Sequence, residues 1–321
     1  MSRLMRPRFR SFAFLSAVSL FSACGSPGPK TAPSPTPRVA LVLKTLNSPF
    51  FIEMQKGAEA AARSLGMDLV IQAAEREVDS ERQMQIVENL IQTGIKVLLI
   101  TPSGSREIVA VLAKANAAHI PIVVIDDRID ADVAKAAGVQ TASYVGSDNV
   151  EGGRVAGRAL VEMSGGKARL AFLEGIPGHE TGDSRLRGFK EAIKDSPGIK
   201  VVASQTANWE RDQGFTVFQN MLQAHPEIDS IFACNDIMAL GAIEAIAAAG
   251  RTGKIRVIGF DAVDDARKAI DEGTMAASVA QFPADMGRIA VESAASILKG
   301  ETIPKDQLVR IGLVKKPPAS N

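Results

Sequence analysis

Short apolar runs alternate with amphipathic stretches along the chain from Val39 onward, and this alternation limits the possible folds more than any other feature. The first strands are predicted at 39–43, 69–71, 97–100 and 122–125. Helices are predicted between them at 51–65, 81–93 and 106–118. Strands that alternate with helices form parallel sheets with helices on both faces, so the sequence predicts an α/β fold.

The same pattern starts again in the second half of the chain. Its strands are predicted at 170–173, 201–203, 231–233 and 256–260, and its helices at 184–194, 211–224, 237–249 and 264–272. A further strand ends at Gln281, a helix follows at 283–299, and one final strand is expected at 308–314. Two such series predict two lobes. The stretch 144–149 links them, and its Asp148 or Asn149 can cap the following helix.

The N-terminus reads as a targeting segment. Residues 1–24 contain a basic start, a short apolar run and then small residues before Cys24, which is the order of an export signal. The small residues resemble a bacterial lipoprotein cleavage box, which would make Cys24 the lipidated mature N-terminus. Ordinary secretion with cleavage nearby is the alternative. Residues 25–37 are rich in proline and predict an extended tether of roughly 40 Å. The tail 317–321 is expected to lie outside the globular body.

Composition and motif searches disfavour several functional classes. A formal net charge of +1 gives no general attraction to nucleic acid. The three histidines do not have the spacing of metal ligands, and no nucleophile motif is present. We therefore expect no bound metal, no cofactor and no enzymatic activity. Cys234 closes an apolar strand and is expected to be a small buried side chain rather than half of a disulfide.

Polar and aromatic residues follow the predicted strands of the first series. Lys44 ends the first strand, Phe50 and Phe51 begin the next helix, and Asp126 and Asp127 end the fourth strand. In open α/β sheets, ligands bind at this edge. Each of these residues also has a purely structural explanation. Lys44 could be an exposed lysine, Phe51 could be a core residue, and the two carboxylates could cap a turn. Arg128 is expected to neutralise the acidic pair.

The second series repeats this arrangement. Four residues lie at or after successive strand ends, and Gln281 lies where the chain returns between lobes. The four are Arg185, Trp209, Asn235 and Asp261. Arg185 follows a long polar loop at 175–183, and Trp209 is the only tryptophan. Charged and amide groups bind hydroxyls strongly, and aromatic faces cover the C–H groups of a ring. Together the two series predict a cleft for a small polyhydroxylated molecule.

Several stretches resemble the periplasmic sugar-binding proteins of ABC importers, in the branch that contains ribose and allose binders. They are LKTLNSPFF at 43–51, SDNV at 147–150, RLRG at 185–188, ASQ at 203–205, CNDIMALG at 234–241 and IGFD at 258–261. The resemblance implies two Rossmann-like lobes joined by three chain crossings, a type I periplasmic binding protein. It implies an N-terminal lobe of 38–147 plus 282–309 and a C-terminal lobe of 148–281 plus 310–316.

The resemblance also implies a set of ligand residues. They are Lys44, Ser48, Phe50, Phe51, Asp126, Asp127, Arg185, Trp209, Asn235, Asp261 and Gln281. Lys44, the acidic pair and Trp209 are similar to the allose-binding pattern. Ser48, Phe51 and Asp127 depart from it. An aldohexose is favoured, and ribose, another pentose or a cyclic polyol such as inositol remains open.

The function that this resemblance implies is substrate binding for an ABC sugar importer. The chain would be a monomeric lipoprotein, periplasmic or at the cell surface, that closes on a monosaccharide by a hinge motion and docks on a membrane permease. A sugar-presenting co-receptor for chemotaxis or a sensor kinase would use the same binding chemistry. A sugar-responsive repressor shares the body, but the export signal stands where its DNA-binding helices would be.

Overall fold

The computed structural model describes residues 37–316. The predicted export signal, the lipidation at Cys24, almost all of the tether and the tail at 317–321 lie outside the described residues. The elements follow one another as β1 (Arg38–Thr45), α1 (Pro49–Leu65), β2 (Asp68–Ala74), α2 (Ser80–Gln92), β3 (Val97–Ile100), α3 (Val109–Ala117), β4 (Ile122–Ile125), α4 (Ala131–Ala136), β5 (Ser143–Ser147), α5 (Asn149–Ser164), β6 (Lys167–Glu174), α6 (Glu180–Ile193), β7 (Gly198–Thr206), α7 (Arg211–Ala224), β8 (Ser230–Ala233), α8 (Asp236–Ala248), β9 (Arg256–Asp261), α9 (Asp264–Glu272), β10 (Ala277–Ala280), α10 (Pro283–Leu298), β11 (Asp306–Val309) and β12 (Gly312–Lys315).

The strands form two six-stranded sheets. The first has the order β11-β5-β4-β3-β1-β2, and all of its strand pairs are parallel. The second has the order β12-β10-β9-β8-β6-β7, and only β12 runs antiparallel to its neighbour. Both sheets are flanked by helices, so the α/β prediction is confirmed. We call the first sheet with α1–α4 and α10 the first lobe, and the second sheet with α5–α9 the second lobe.

The chain passes between the sheets three times. It crosses after β5, after β10 and between β11 and β12. The last crossing corrects the prediction of one strand at 308–314. A largely apolar pattern, interrupted only by Arg310 and Gly312, hides the change of partner there, since Leu308 pairs with Gly146 of the first sheet and Leu313 with Val279 of the second. Strand β5 and the short helix α4 were also not predicted as elements.

Helix α6 begins at Glu180, four residues before the predicted start at Ser184, so the predicted loop at 175–183 is shorter. Its first turn contains Glu180, Thr181 and Asp183, which provide no apolar stripe to indicate a helix. Acidic side chains in that turn are nevertheless favourable there because they face the positive end of the helix dipole. The early start brings Thr181 to the edge of the sheet.

Close packing of α5 on α6 fixes the helix that contains Arg185. A Cβ atom on Gly153 would lie 2.1 Å from the carbonyl oxygen of Arg185, and one on Gly188 would lie 1.9 Å from that of Val150. Glycine is therefore required at both positions for the two helices to approach this closely. Asp148 caps α5 by accepting a hydrogen bond from the amide of Glu151. Of the two caps that the sequence allowed, Asp148 or Asn149, the structure has Asp148.

Apolar side chains pack on both faces of each sheet. In the second lobe, Phe172, Phe189 and Phe232 form a buried cluster, and Cys234 lies beside it with no exposed surface. The prediction that Cys234 is a small buried side chain is confirmed, and burial raises the pKa of its thiol to about 12. Among residues 37–316, no helix combines the length and apolar character needed to cross a membrane.

Candidate functional site

The carboxyl ends of the two sheets meet at a small, partly open cavity. Residues of both lobes line it, and most lie at the carboxyl end of a strand or within three residues after it. The lining residues are Lys44, Ser48, Phe50, Phe51, Glu77, Asp126, Thr181, Arg185, Trp209, Asn235, Asp261 and Gln281.

The cavity brings together every predicted site residue except Asp127. The side chain of Asp127 is fully buried behind Lys44, so the structure does not place it on the cavity wall. Two lining residues were not predicted. Glu77 follows the end of β2, where the same strand-end argument would have found it. Thr181 belongs to the unexpected first turn of α6, and no sequence signal indicated it.

Lys44 is held by two carboxylates rather than exposed to solvent. Its Nζ donates to Asp127 Oδ2 at 2.8 Å and lies 3.8 Å from Glu77 Oε2, and its side chain is 3% exposed. Burial alone would lower the pKa of Lys44, but the charges of Asp127 and Glu77 outweigh it and raise the pKa above its ordinary value. Burial raises the pKa of Glu77 to about 7, against the opposing charge of Lys44.

Phe50 and Phe51 form one wall of the cavity. Their ring centroids lie 5.3 Å apart at an interplanar angle of 87°, which is an edge-to-face pair. Both side chains are nearly buried, at 6% and 3% exposure, and both also belong to the core of the first lobe. Phe51 is therefore both a core residue and a residue of the cavity wall, because one side of its ring packs inward and another lines the cavity.

Asp126 points into the cavity from a left-handed backbone conformation, with φ of 65°. Its carbonyl oxygen accepts from the Tyr144 hydroxyl at 2.8 Å, which supports the strained turn. Its Oδ1 is buried without a hydrogen-bond partner. Burial raises the pKa of Asp126, as does the neighbouring Asp127, against the charge of Lys44. Arg128 does not neutralise the acidic pair as expected, since it stacks on Tyr144 and pairs with Asp306 at 2.7 Å.

Arg185 is fixed in the second lobe by protein groups on several sides. Its Nε donates to Asn149 Oδ1 at 2.9 Å, and an Nη donates to the carbonyl oxygen of Cys234 at 2.7 Å. The guanidinium lies 3.8 Å from the ring centroid of Phe260 and 3.8 Å from Asp261 Oδ1. Arg185 is therefore a preorganised cation at the cavity wall.

Asp261 and Gln281 form a second polar wall. Gln281 Nε2 donates to Asp261 Oδ1 at 2.8 Å, and Gln281 Oε1 is buried without a partner. Asp261 has φ of 115° and Ala262 has φ of 53°, so the turn is strained. Ser278 holds this turn by accepting from the Ala262 amide. Burial raises the pKa of Asp261, against the opposing charge of Arg185.

Trp209 and Asn235 complete the second lobe's side of the cavity. Trp209 has φ of 66°, is 6% exposed and presents an Nε1 atom without a hydrogen-bond partner. A Cβ atom on Gly175 would lie 1.9 Å from its ring, so glycine there makes room for the indole. Asn235 caps α8 by accepting from the Met238 amide and donates weakly to the Trp209 carbonyl oxygen at 3.4 Å.

The site combines orphaned hydrogen-bonding atoms with aromatic walls. Asp126 Oδ1, Trp209 Nε1 and Gln281 Oε1 are buried and unpaired, and buried polar groups in native proteins almost always have partners. Among residues 37–316, no cluster of side chains has the composition of a metal site. Two α/β lobes around a small polar cavity with aromatic walls define a solute-binding protein.

The chain belongs to the periplasmic binding protein domain family, whose sequence profile matches residues 39–302. The D-allose-binding periplasmic protein of Escherichia coli is 38% identical over 86% of this chain and 89% of its own length. The ribose import binding protein RbsB of Bacillus subtilis is 41% identical over 83% of each chain. The family resemblance and the expectation of a binding protein rather than an enzyme are confirmed.

Solved structures of solute-binding proteins have the same fold as this chain. A periplasmic solute-binding protein from Actinobacillus succinogenes with bound D-allose has a TM-score of 0.82 and 39% identity, and the match covers 87% of this chain and 98% of that one. A solute-binding protein from Bacillus halodurans with bound myo-inositol has a TM-score of 0.79 and 28% identity, covering 87% and 94%. The type I periplasmic binding protein fold is therefore confirmed.

Proposed function

We propose that this chain is the sugar-binding component of an ABC importer and that it holds one monosaccharide, an allose-like hexose or ribose, in the cavity between its lobes. The observation that carries the proposal is the set of unpaired, buried polar atoms between aromatic rings. A sugar hydroxyl can donate to Asp126 Oδ1 or Gln281 Oε1, and it can accept from Trp209 Nε1. One polyhydroxylated ring therefore satisfies all three.

The aromatic side chains determine where the ring lies. Phe50 and Phe51 come from the first lobe and Trp209 from the second, and all three line the cavity. Their faces cover the apolar C–H surface of a sugar, while its hydroxyls project toward the polar walls. Because the rings belong to opposite lobes, the sugar completes its contacts only when the lobes are closed.

Charged groups provide stereochemical selectivity. Lys44 and Arg185 donate to hydroxyl or ring oxygens, and Asp126 and Asp261 accept from hydroxyls. A sugar without one matched hydroxyl leaves a buried group unpaired, which costs about 1–3 kcal/mol. The relative with bound D-allose supports a hexose. The relative with bound myo-inositol makes a cyclic polyol the second candidate ligand.

The proposal also covers the bounds of the two lobes and the N-terminal segment. The lobes comprise 38–147 plus 282–309 and 148–281 plus 310–316. A lipid on Cys24 and the proline-rich tether at 25–37 hold the body at a membrane surface on the periplasmic or outer side. There the closed monomer delivers its sugar to an ABC permease.

A thermal-shift panel of monosaccharides and polyols tests the proposal. The panel contains D-allose, D-ribose, D-glucose and myo-inositol, each added to the protein and to an Asp261→Asn variant. Ligand at about 100 times its Kd stabilises the folded state by about 2.7 kcal/mol, so the Tm should rise by several degrees for the preferred ligand. The variant should show a smaller rise. If no sugar or polyol shifts the Tm of the unaltered protein, the sugar-binding proposal fails.

A further inference from the structure

Asp127 caps a helix of the opposite lobe. It follows β4 of the first lobe, whereas α6 lies in the second lobe. The residue at the N-cap position of α6, His179, makes no side-chain capping bond. Instead the Thr181 amide donates to Asp127 Oδ1 at 3.2 Å, and the Thr181 hydroxyl donates to the same oxygen. A capping carboxylate normally accepts from the second or third amide of a helix, and Thr181 is the second residue of α6.

The other oxygen of Asp127 connects the cap to the ligand-facing lysine. Asp127 Oδ2 accepts from Lys44 Nζ at 2.8 Å and lies 3.6 Å from His179 Nδ1. The carboxylate is fully buried, so protein groups from both lobes surround it. Burial alone would raise the pKa of Asp127, but Lys44 and the nearby His179 together outweigh it and the pKa is lowered. Asp127 therefore stays charged.

A second hydrogen bond also links the start of α6 to the first lobe. The Glu180 amide, one residue earlier in α6, donates to Ser105 Oγ of the first lobe at 3.3 Å. Ser105 is buried and does not line the cavity. Two successive amides at the start of α6 are thus satisfied by side chains of the opposite lobe. Opening the cleft would separate both pairs and expose the start of the helix to water.

We propose that Asp127 is a positioning residue that favours the closed state: it caps α6 across the cleft and orients Lys44, and it does not bind the ligand itself. The proposal rests on the proposed function, since closure retains the sugar. It follows that removing the cap should speed ligand release much more than it slows ligand capture. A residue that binds the sugar directly would weaken affinity through the loss of its own hydrogen bond, but its replacement would leave the amides at the start of α6 as protected as in the unaltered protein.

The test compares Asp127→Ala with Asp127→Asn. Both variants remove the charge opposite Lys44, but asparagine keeps an acceptor oxygen and caps helices about as well as aspartate. Their difference therefore isolates the cap. The dissociation rate of the sugar that gives the largest thermal shift is measured by stopped flow, with Trp209 emission as the signal. Hydrogen exchange of the amides at 180–183 is measured in the sugar-saturated protein, in which the lobes are closed.

We expect Asp127→Ala to release ligand about tenfold faster, with an association rate changed less than threefold. Asp127→Asn should recover most of that loss, and the amides at 180–183 should exchange faster only in Asp127→Ala. Equal release rates in the two variants, or release from Asp127→Ala at the unaltered rate, would overturn the proposal.

Two further outcomes are informative. If Asp127→Ala does not fold, Ser105→Ala provides the second variant, because it removes the acceptor for the Glu180 amide without touching the cavity wall; unchanged ligand release would then contradict the proposal. If the unaltered protein binds no sugar, the proposed function fails; if it binds sugar but releases it at equal rates from the two variants, that function stands and only the closing role is overturned. Equal protection at 180–183 in the sugar-saturated unaltered protein and in sugar-saturated Asp127→Ala would likewise overturn the closing role.

Discussion

Lys44 Nζ and Asp127 Oδ2 lie 2.8 Å apart, and the two side chains are only 3% and 0% exposed. This buried ion pair stands behind the cavity wall and determines which atoms of the first lobe face the ligand. Asp127 uses both of its oxygens on protein groups, and Lys44 keeps N–H groups for the cavity. The pair is therefore structural and functional at once.

Breaking this pair from the lysine side should destabilise the fold. Lys44→Met leaves the Asp127 carboxylate buried without its main counter-charge, and removing one partner of a buried pair costs about 3–5 kcal/mol. Urea unfolding should show this loss in the single variant. The double variant Lys44→Met, Asp127→Asn should recover part of it, because the orphaned charge is gone. Equal losses in the single and double variants would contradict the account.

Glu77 should make stability depend on pH. Its pKa is about 7 in the folded protein and near 4.5 as an ordinary carboxyl group, so folding takes up a proton between those values. The free energy of unfolding should therefore fall as pH rises from about 4.5 to about 7 and level off above that. Asp261, whose pKa burial also raises, contributes in the same direction.

The Glu77→Gln variant isolates this contribution. It should be more stable than the unaltered protein at pH 8, by up to about 2 kcal/mol, and it should show a flatter stability profile between pH 5 and 7. Urea unfolding at several pH values measures both. Glu272→Gln, at an exposed position of α9, is the matched control and should leave the profile unchanged. A Glu77→Gln profile that matches the unaltered protein would disprove the assignment.

Trp209 gives an optical signal for binding because it is the only tryptophan in the chain. Its ring lines the cavity and its Nε1 has no protein partner. Ligand that hydrogen-bonds to this atom and excludes water should change the emission maximum or intensity. Fluorescence titration with the sugar that shifts the Tm checks this. An unchanged spectrum at saturation, with binding shown by calorimetry, would remove Trp209 from the site.

Asp126 should contribute directly to affinity. Its Oδ1 is buried and unpaired until a ligand hydroxyl donates to it. Asp126→Asn replaces a charged acceptor by a neutral group and should weaken binding by about 1.5–3 kcal/mol, or roughly 10- to 150-fold. Calorimetric titration measures the change. The exposed Asp195→Asn is the control and should bind as the unaltered protein does. Equal affinities of the two variants would rule out the role of Asp126.

Much of the fold was predictable because apolar strands and amphipathic helices have different periods. The predictions failed where that signal was absent. The chain changes sheets within the largely apolar stretch at 308–314, and the polar first turn of α6 shows no apolar stripe. The site was largely predictable for a simple physical reason, since the carboxyl ends of parallel strands converge at one edge.

The sequence could not separate the roles of Asp126 and Asp127. Adjacent residues of a strand point to opposite sides, but Asp126 adopts φ of 65° and the strand rule no longer applies there. Which carboxylate reaches the cavity depends on the turn and on Thr181 from the other lobe. That tertiary contact has no signature in the local sequence.

Isothermal titration calorimetry directly measures whether the cavity between the lobes binds a sugar. The sugar that gives the largest thermal shift is titrated into the unaltered protein and into Arg185→Ala, which removes the fixed cation of the second lobe. We expect one site per chain with a Kd of about micromolar or tighter, and binding at least about tenfold weaker in the variant. No saturable heat with any monosaccharide or polyol, or an equal Kd in Arg185→Ala, would contradict sugar binding in this cavity.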